Sequence, residues 1–217
     1  MKLFLDTASV EEIRKALDTG VLDGVTTNPS IIAKSGRPFE TVAREILELV
    51  PGDVSLEAMA DDWQGMVREV KTLAGWGRNA VVKLPMTRDG IKALSVVSQE
   101  GFRINLTMVA SQNQALLACK AGATYVSLIV GRMDAIGTDG MAVVRDTREM
   151  IREYGFGAQI IIGSVRSPLH VLKAQQVGTH VVTMGYSIFN QLFDHPLSAA
   201  GIEQFKQDWA GVEGRAS

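Results

Sequence analysis

Eight short apolar runs, each followed by a longer segment of helical period, constrain this chain more than any other feature. The runs are Lys2–Asp6, Gly24–Thr27, Val54–Glu57, Ala80–Lys83, Phe102–Thr107, Thr124–Ile129, Gln159–Ile162 and His180–Thr183. Each has the length of a strand, and turn residues or helix signals bound it. Ser9 with Glu12 three residues on is a capping-box signature, and Ile13, Ala16 and Leu17 then make one helix face. Asn28-Pro29-Ser30 reads as a turn, and Val42, Ile46, Leu49 and Val50 as a second helical stripe. Gly65–Ala74 and Gln112–Lys120 read as helices, and Thr87 can cap a helix carrying Ile91, Leu94 and Val97. A loop from Gly137 to Gly140 leads into a long helix ending near Tyr154, and two short helices close the chain. Strictly alternating β and α units imply a parallel sheet. Eight of them fit a closed barrel better than an open sheet. The expectation is one (β/α)8 TIM-barrel domain over residues 1–217, with an extra C-terminal helix. A doubly wound sheet is the structural rival, but no glycine-rich turn follows the first strand, which argues against dinucleotide binding.

Composition narrows the partners. Lys+Arg number 22 against Asp+Glu 24, without the basic excess that nucleic-acid or membrane-surface binding usually needs. The N-terminal apolar run ends at Asp6, too early for a signal peptide, and no run approaches the ~18 apolar residues of a membrane span. Cys119 is the single cysteine and lies in an apolar run, so it reads as a small core residue in a reducing compartment. A cytoplasmic enzyme is the expectation. His170, His180 and His195 show no ligand spacing, so they read as surface or packing residues, and no metal is expected.

Polar residues recur at the C-terminal ends of the strands. Asp6, Thr27 with Asn28, Glu57, Lys83, Asn105 with Thr107, and Ser164 with Arg166 all follow apolar strand residues, while Ser127 lies within the sixth strand. In a parallel barrel those ends converge on the face where active sites of this fold lie. Lys83, in Ala80-Val81-Val82-Lys83-Leu84-Pro85, is the sharpest case. An amine amid apolar residues costs several kcal/mol unless paired or neutralised. Desolvation favours the neutral form, the nucleophile that attacks a ketone. The alternative is a structural lysine paired with Glu57 or Asp6. Those two carboxylates are also the acid and base that imine chemistry requires. Arg132 and Arg166 each follow a barrel strand, and Ser164-Val165-Arg166-Ser167-Pro168 precedes a helix, so together they suggest an anion site for a phosphorylated substrate.

Four segments resemble motifs of the transaldolase family: Gly24-Val25-Thr26-Thr27-Asn28-Pro29-Ser30, Val81-Val82-Lys83-Leu84-Pro85, Asn105-Leu106-Thr107 and Gly163-Ser164-Val165-Arg166. The chain is most similar to the short-chain subfamily of microbial transaldolases and fructose 6-phosphate aldolases. The resemblance implies a dihydroxyacetone transfer between a ketose phosphate, such as fructose 6-phosphate or sedoheptulose 7-phosphate, and an aldose phosphate. It implies Lys83 as the Schiff-base lysine, Asp6 as acid/base, and Glu57 with Thr107 as holders of a proton-shuttling water. Asn28, Asn105 and Ser127 would bind the three-carbon unit, Thr27 would join them in binding substrate, and Arg132, Ser164 and Arg166 would hold the phosphate. No cofactor is implied, because the imine nitrogen is the electron sink. A ring-like homo-oligomer, pentamer or decamer, with the last helix crossing to a neighbour is implied as well. Ile129 stands where relatives carry Phe or Tyr, Ala110 where many carry Phe, and Gly185-Tyr186 where Pro and an apolar residue are usual. Four alternatives stay open: an aldolase releasing free dihydroxyacetone, a transaldolase for a sulfonated ketose such as 6-deoxy-6-sulfofructose, a silent sugar-phosphate-binding barrel, and a barrel enzyme with no imine step such as a sugar-phosphate epimerase.

Overall fold

A computed structural model describes residues 1–213. The eight strands are β1 (Lys2–Asp6), β2 (Gly24–Thr26), β3 (Asp53–Glu57), β4 (Ala80–Pro85), β5 (Ile104–Val109), β6 (Tyr125–Ile129), β7 (Gln159–Gly163) and β8 (Val181–Met184). They pair in parallel in chain order, and β8 returns to β1 to close the barrel. The expected TIM barrel is the fold.

The helices are α1 (Val10–Leu17), α2 (Pro29–Lys34), α3 (Phe39–Leu49), α4 (Trp63–Ala74), α5 (Arg88–Gln99), α6 (Gln112–Lys120), α7 (Val130–Ala135), α8 (Gly140–Glu153), α9 (Pro168–Val177), α10 (Tyr186–Gln191) and α11 (Pro196–Glu213). Local chemistry sets several boundaries. The Thr87 side chain accepts the Gly90 N–H at 2.9 Å and opens α5 as expected. Ser9 caps α1 by accepting the Glu12 N–H, but Glu12 does not reciprocate, because its carboxylate takes the Thr7 hydroxyl. Two expectations are corrected. Asn28-Pro29-Ser30 is a helix start, with Asn28 as N-cap accepting the Ile31 N–H at 3.0 Å and Pro29 in the first turn, where a missing N–H costs nothing. The last helix is long, running 18 residues, and it leaves Leu197, Ile202, Phe205, Trp209 and Val212 exposed.

Two cores result from the alternation of side chains along each strand. The outward set, including Leu5, Val25, Val54, Leu56, Val82 and Leu84, packs with Ile13, Ile46, Leu94 and Val97 of the helices. The inward set is an apolar plug of Phe4, Val81, Tyr125, Ile161 and Val181. Phe4 meets Tyr125 edge-on at 6.4 Å, and the Tyr125 hydroxyl donates to Asp53 at 2.7 Å. Gly24 makes room for Phe4, since a Cβ there would lie 2.6 Å from the ring. Two residues further along the same strands, the inward positions are Asp6, Lys83, Ser127, Gly163 and Thr183. The plug is therefore the floor beneath them.

Candidate active site

A cavity of about 650 Å³ opens at the C-terminal ends of the strands, above that floor. Ten of the eleven residues expected at the site line it: Asp6, Asn28, Glu57, Lys83, Asn105, Thr107, Ser127, Arg132, Ser164 and Arg166. The register explains their grouping, because Glu57 stands opposite Lys83, Lys83 opposite Asn105, and Pro85 opposite Thr107.

Lys83 is 7% exposed, and its Nζ donates to a Glu57 carboxylate oxygen at 2.9 Å and to the Thr27 carbonyl at 2.8 Å. The sequence alternative of a paired lysine is thus realised with Glu57. Pairing does not compete with nucleophilic chemistry, since the carboxylate is in reach to accept an ammonium proton. Thr27 meets the site through that carbonyl, because its own buried hydroxyl donates to the Ser55 carbonyl at 2.8 Å. Its neighbour Thr26 faces the cavity instead, and strand alternation is the signal that distinguishes the two.

Thr26 donates to Asp6 at 2.7 Å and lies 2.7 Å from the Thr183 hydroxyl. Burial holds the Asp6 carboxyl above the usual aspartate range, and the Thr26 hydrogen bond and the Lys83 charge oppose that rise. A carboxyl poised in this way can both take and return a proton. On the far wall, Asn105 donates to Ser55 at 3.2 Å and accepts from Ser127 at 2.7 Å. Those bonds fix the amide, and Ser55 is a supporting residue that its position inside an apolar strand concealed. The Thr107 hydroxyl has no hydrogen-bond partner among the described residues.

The rim carries cations. Arg132 sits on α7 and Arg166 in the loop from β7 to α9, and neither forms an ion pair among the described residues. Lys34 at the end of α2 is a third cation at the cavity, which the sequence reading left out of the site. Backbone strain gathers here too. Ser164 has φ of 57° and Met108 φ of 63°, the latter where the β5–β6 register shifts. Non-glycine residues hold such angles only when their surroundings impose them, and functional sites are where this recurs. Ile129 and Gly185 line the cavity, whereas Ala110 does not. Among the described residues, no three His, Cys, Asp or Glu side chains gather into a metal-binding group. His180 accepts the Ile160 N–H at 3.0 Å, and burial lowers its basicity, so of the two readings, surface or packing, it takes the second. Cys119 is buried, with its thiol pushed up to about 11. No described helix is long and apolar enough to cross a membrane.

Residues 3–216 match the family model described as Transaldolase/Fructose-6-phosphate aldolase. The "Probable transaldolase" of Aquifex aeolicus (strain VF5) is 51% identical over 212 residues, covering 98% of each chain. That of Thermoanaerobacter sp. (strain X514) is 51% identical over 209 residues, covering 96% of this chain and 97% of its own. That of Geobacter sulfurreducens is 50% identical over 212 residues, covering 98% and 99%.

Proposed function

Because this chain belongs to the transaldolase/fructose-6-phosphate aldolase family, we propose that it is a Schiff-base transaldolase moving a dihydroxyacetone unit from a ketose phosphate to an aldose phosphate. The observation that carries this reading is Lys83, a buried amine at the cavity floor with the Glu57 carboxylate at 2.9 Å. Glu57 takes a proton from the ammonium, and the freed amine attacks the C2 ketone of the donor to give a carbinolamine. A water held by Glu57 and Thr107 relays the protons as hydroxide departs and the imine forms. Asp6 then removes the C4 hydroxyl proton. The C3–C4 bond breaks, its electron pair moves toward the iminium nitrogen, and the aldose phosphate leaves an enamine on Lys83. An acceptor aldehyde adds at C3, Asp6 returns its proton to the new hydroxyl, and hydrolysis of the imine frees the product.

Asn28, Asn105 and Ser127 hold the three-carbon unit in this reading. The Asn105 amide, already bonded to Ser55 and Ser127, is rigid enough to select one orientation. Arg132, Ser164 and Arg166 hold the phosphate, and the fact that neither arginine forms an ion pair among the described residues supports that assignment. A sulfonate would meet the same donors. The cytoplasmic setting expected from composition belongs to the same proposal, as does a homo-oligomer.

Borohydride reduction tests the core of it. With fructose 6-phosphate or dihydroxyacetone present, reduction should leave a stable secondary amine on Lys83, located by peptide mapping. Lys83→Met should lose both the adduct and turnover; because it leaves the Glu57 carboxylate without its partner, Lys83→Met with Glu57→Gln is the companion variant that keeps the barrel folded. An adduct on another lysine, or turnover surviving in Lys83→Met, overturns the mechanism. Failure to trap any ketose would instead favour a silent binding barrel.

A further inference from the structure

The two rim arginines come from separate segments. Arg132 lies on the six-residue helix α7, and Arg166 lies in the loop that leads into α9. The segments fit against each other at Gly131, where a Cβ would lie 2.0 Å from the Ser164 carbonyl oxygen and 2.8 Å from Cγ of Arg166. One side chain spans both. His170, within the first turn of α9, accepts the backbone N–H of Arg166 on Nδ1 at 3.3 Å. Its Nε2 lies 3.1 Å from an Asp134 carboxylate oxygen. Asp134 is two residues beyond Arg132 on α7, and its other oxygen accepts the Gly140 N–H at 3.0 Å, which ties α7 to the start of α8. The His170 side chain is 13% exposed and does not line the cavity.

We infer that His170 is a positioning residue for the anion rim, acting through the Arg166 backbone on one side and Asp134 on the other. The inference rests on the reading of Arg132 and Arg166 as the phosphate site. The geometry requires one tautomer, with Nδ1 bare to accept and Nε2 carrying its proton toward the carboxylate. Arg132 and Arg166 both line the cavity, and two like charges gathered there repel. An imidazole locked between the segments keeps both forks aimed at one point before substrate arrives, so the ordering cost falls on folding and not on binding. Gly131 serves the same fit by letting the Ser164 carbonyl and the Arg166 stem close in.

Steady-state kinetics with two donor and acceptor pairs test this: fructose 6-phosphate with an aldose phosphate, and unphosphorylated fructose with glyceraldehyde. His170→Ala should raise KM for fructose 6-phosphate about tenfold, the change that losing one modest interaction produces, with kcat nearly retained. kcat/KM for the unphosphorylated pair should stay within about twofold, inside the small spread expected when no partner of the reacting groups is lost. His170→Asn should recover part of the affinity, because its Oδ1 can take the place of Nδ1 in accepting the Arg166 N–H while the link to Asp134 stays broken. Asp134→Ala should raise KM in the same selective way. A fall of both pairs together in His170→Ala and Asp134→Ala, or no change in KM, overturns the positioning role. Should His170→Ala not fold, Asp134→Ala carries the same comparison. Arg166→Ala separates the two levels of the argument. If it raises KM for fructose 6-phosphate while the His170 and Asp134 variants do not, positioning alone fails. If it changes nothing, the phosphate reading fails and the inference falls with it.

Discussion

Asp6 shows how a single residue carries opposed demands. Burial raises its pKa above the unfolded value, so ionising it costs folding free energy. Stability from this group is fully present below the unfolded value of 3.8 and is lost as pH rises through the higher folded value. Above the folded value the cost is borne in full. Asp6→Asn should therefore melt no lower than the parent near pH 7, and higher if the packing is kept, while losing turnover. Thr26 offsets part of the cost by donating to the carboxylate at 2.7 Å. Thr26→Val removes that donor at nearly constant volume, so the Asp6 pKa should rise further. The acidic limb of the kcat/KM profile should then move to higher pH, and a limb that stays in place or moves down would separate Asp6 from that ionisation.

At the scale of the element, each strand end is a platform and each following helix start is its brace. β4 ends at Pro85, and Thr87 then opens α5 through its bond to the Gly90 N–H. Thr87→Ala should cost about 1 kcal/mol, the usual value of an N-cap, seen as a lower midpoint in urea with unchanged slope. Turnover should be unaffected, because Lys83 is fixed by its own strand pairing to Glu57 and Asn105 and not by the helix. A large loss of kcat would show that the brace reaches the site. α2 works differently. Asn28 spends its carbonyl oxygen on capping this helix, so its amide N–H groups are what remain for a substrate, and the helix in turn brings Lys34 to the cavity.

At the scale of the whole molecule, the last helix presents an imbalance. A large apolar side chain gains about 1.5–3 kcal/mol on burial, yet Ile202, Phe205, Trp209 and Val212 of α11 stay more than half exposed. Such a face is the expected mark of an interaction surface. In our reading it packs on a neighbouring copy within a homo-oligomer. Deleting the segment from Ile202 onward should leave folded barrels of smaller mass in sedimentation. A deletion variant that runs at the size of the parent assembly would remove this assignment.

Much of this was legible in the order of residues. Eight apolar runs with helical segments between them mark a barrel, and polar groups at the run ends mark its active face, because both signals are local periodicities that neighbouring residues encode. Ten of eleven expected residues meet at one cavity for that reason. The misread elements failed locally as well: Asn28-Pro29-Ser30 carries turn chemistry and helix-start chemistry alike, and only the residues after it decide between them. What closure of the barrel decided is which side chains touch across long stretches of chain. Thr26 faces Thr183, 157 residues away, and the Lys83 amine meets the Thr27 carbonyl, 56 residues away. His170 reads from sequence as a surface or packing residue, and only the fold sets it against Asp134 on another helix. The sequence determined the period and the polar ends of each strand; which inward positions share a level, and so which groups become partners, depends on how eight strands are staggered around one axis, a property that no single segment contains.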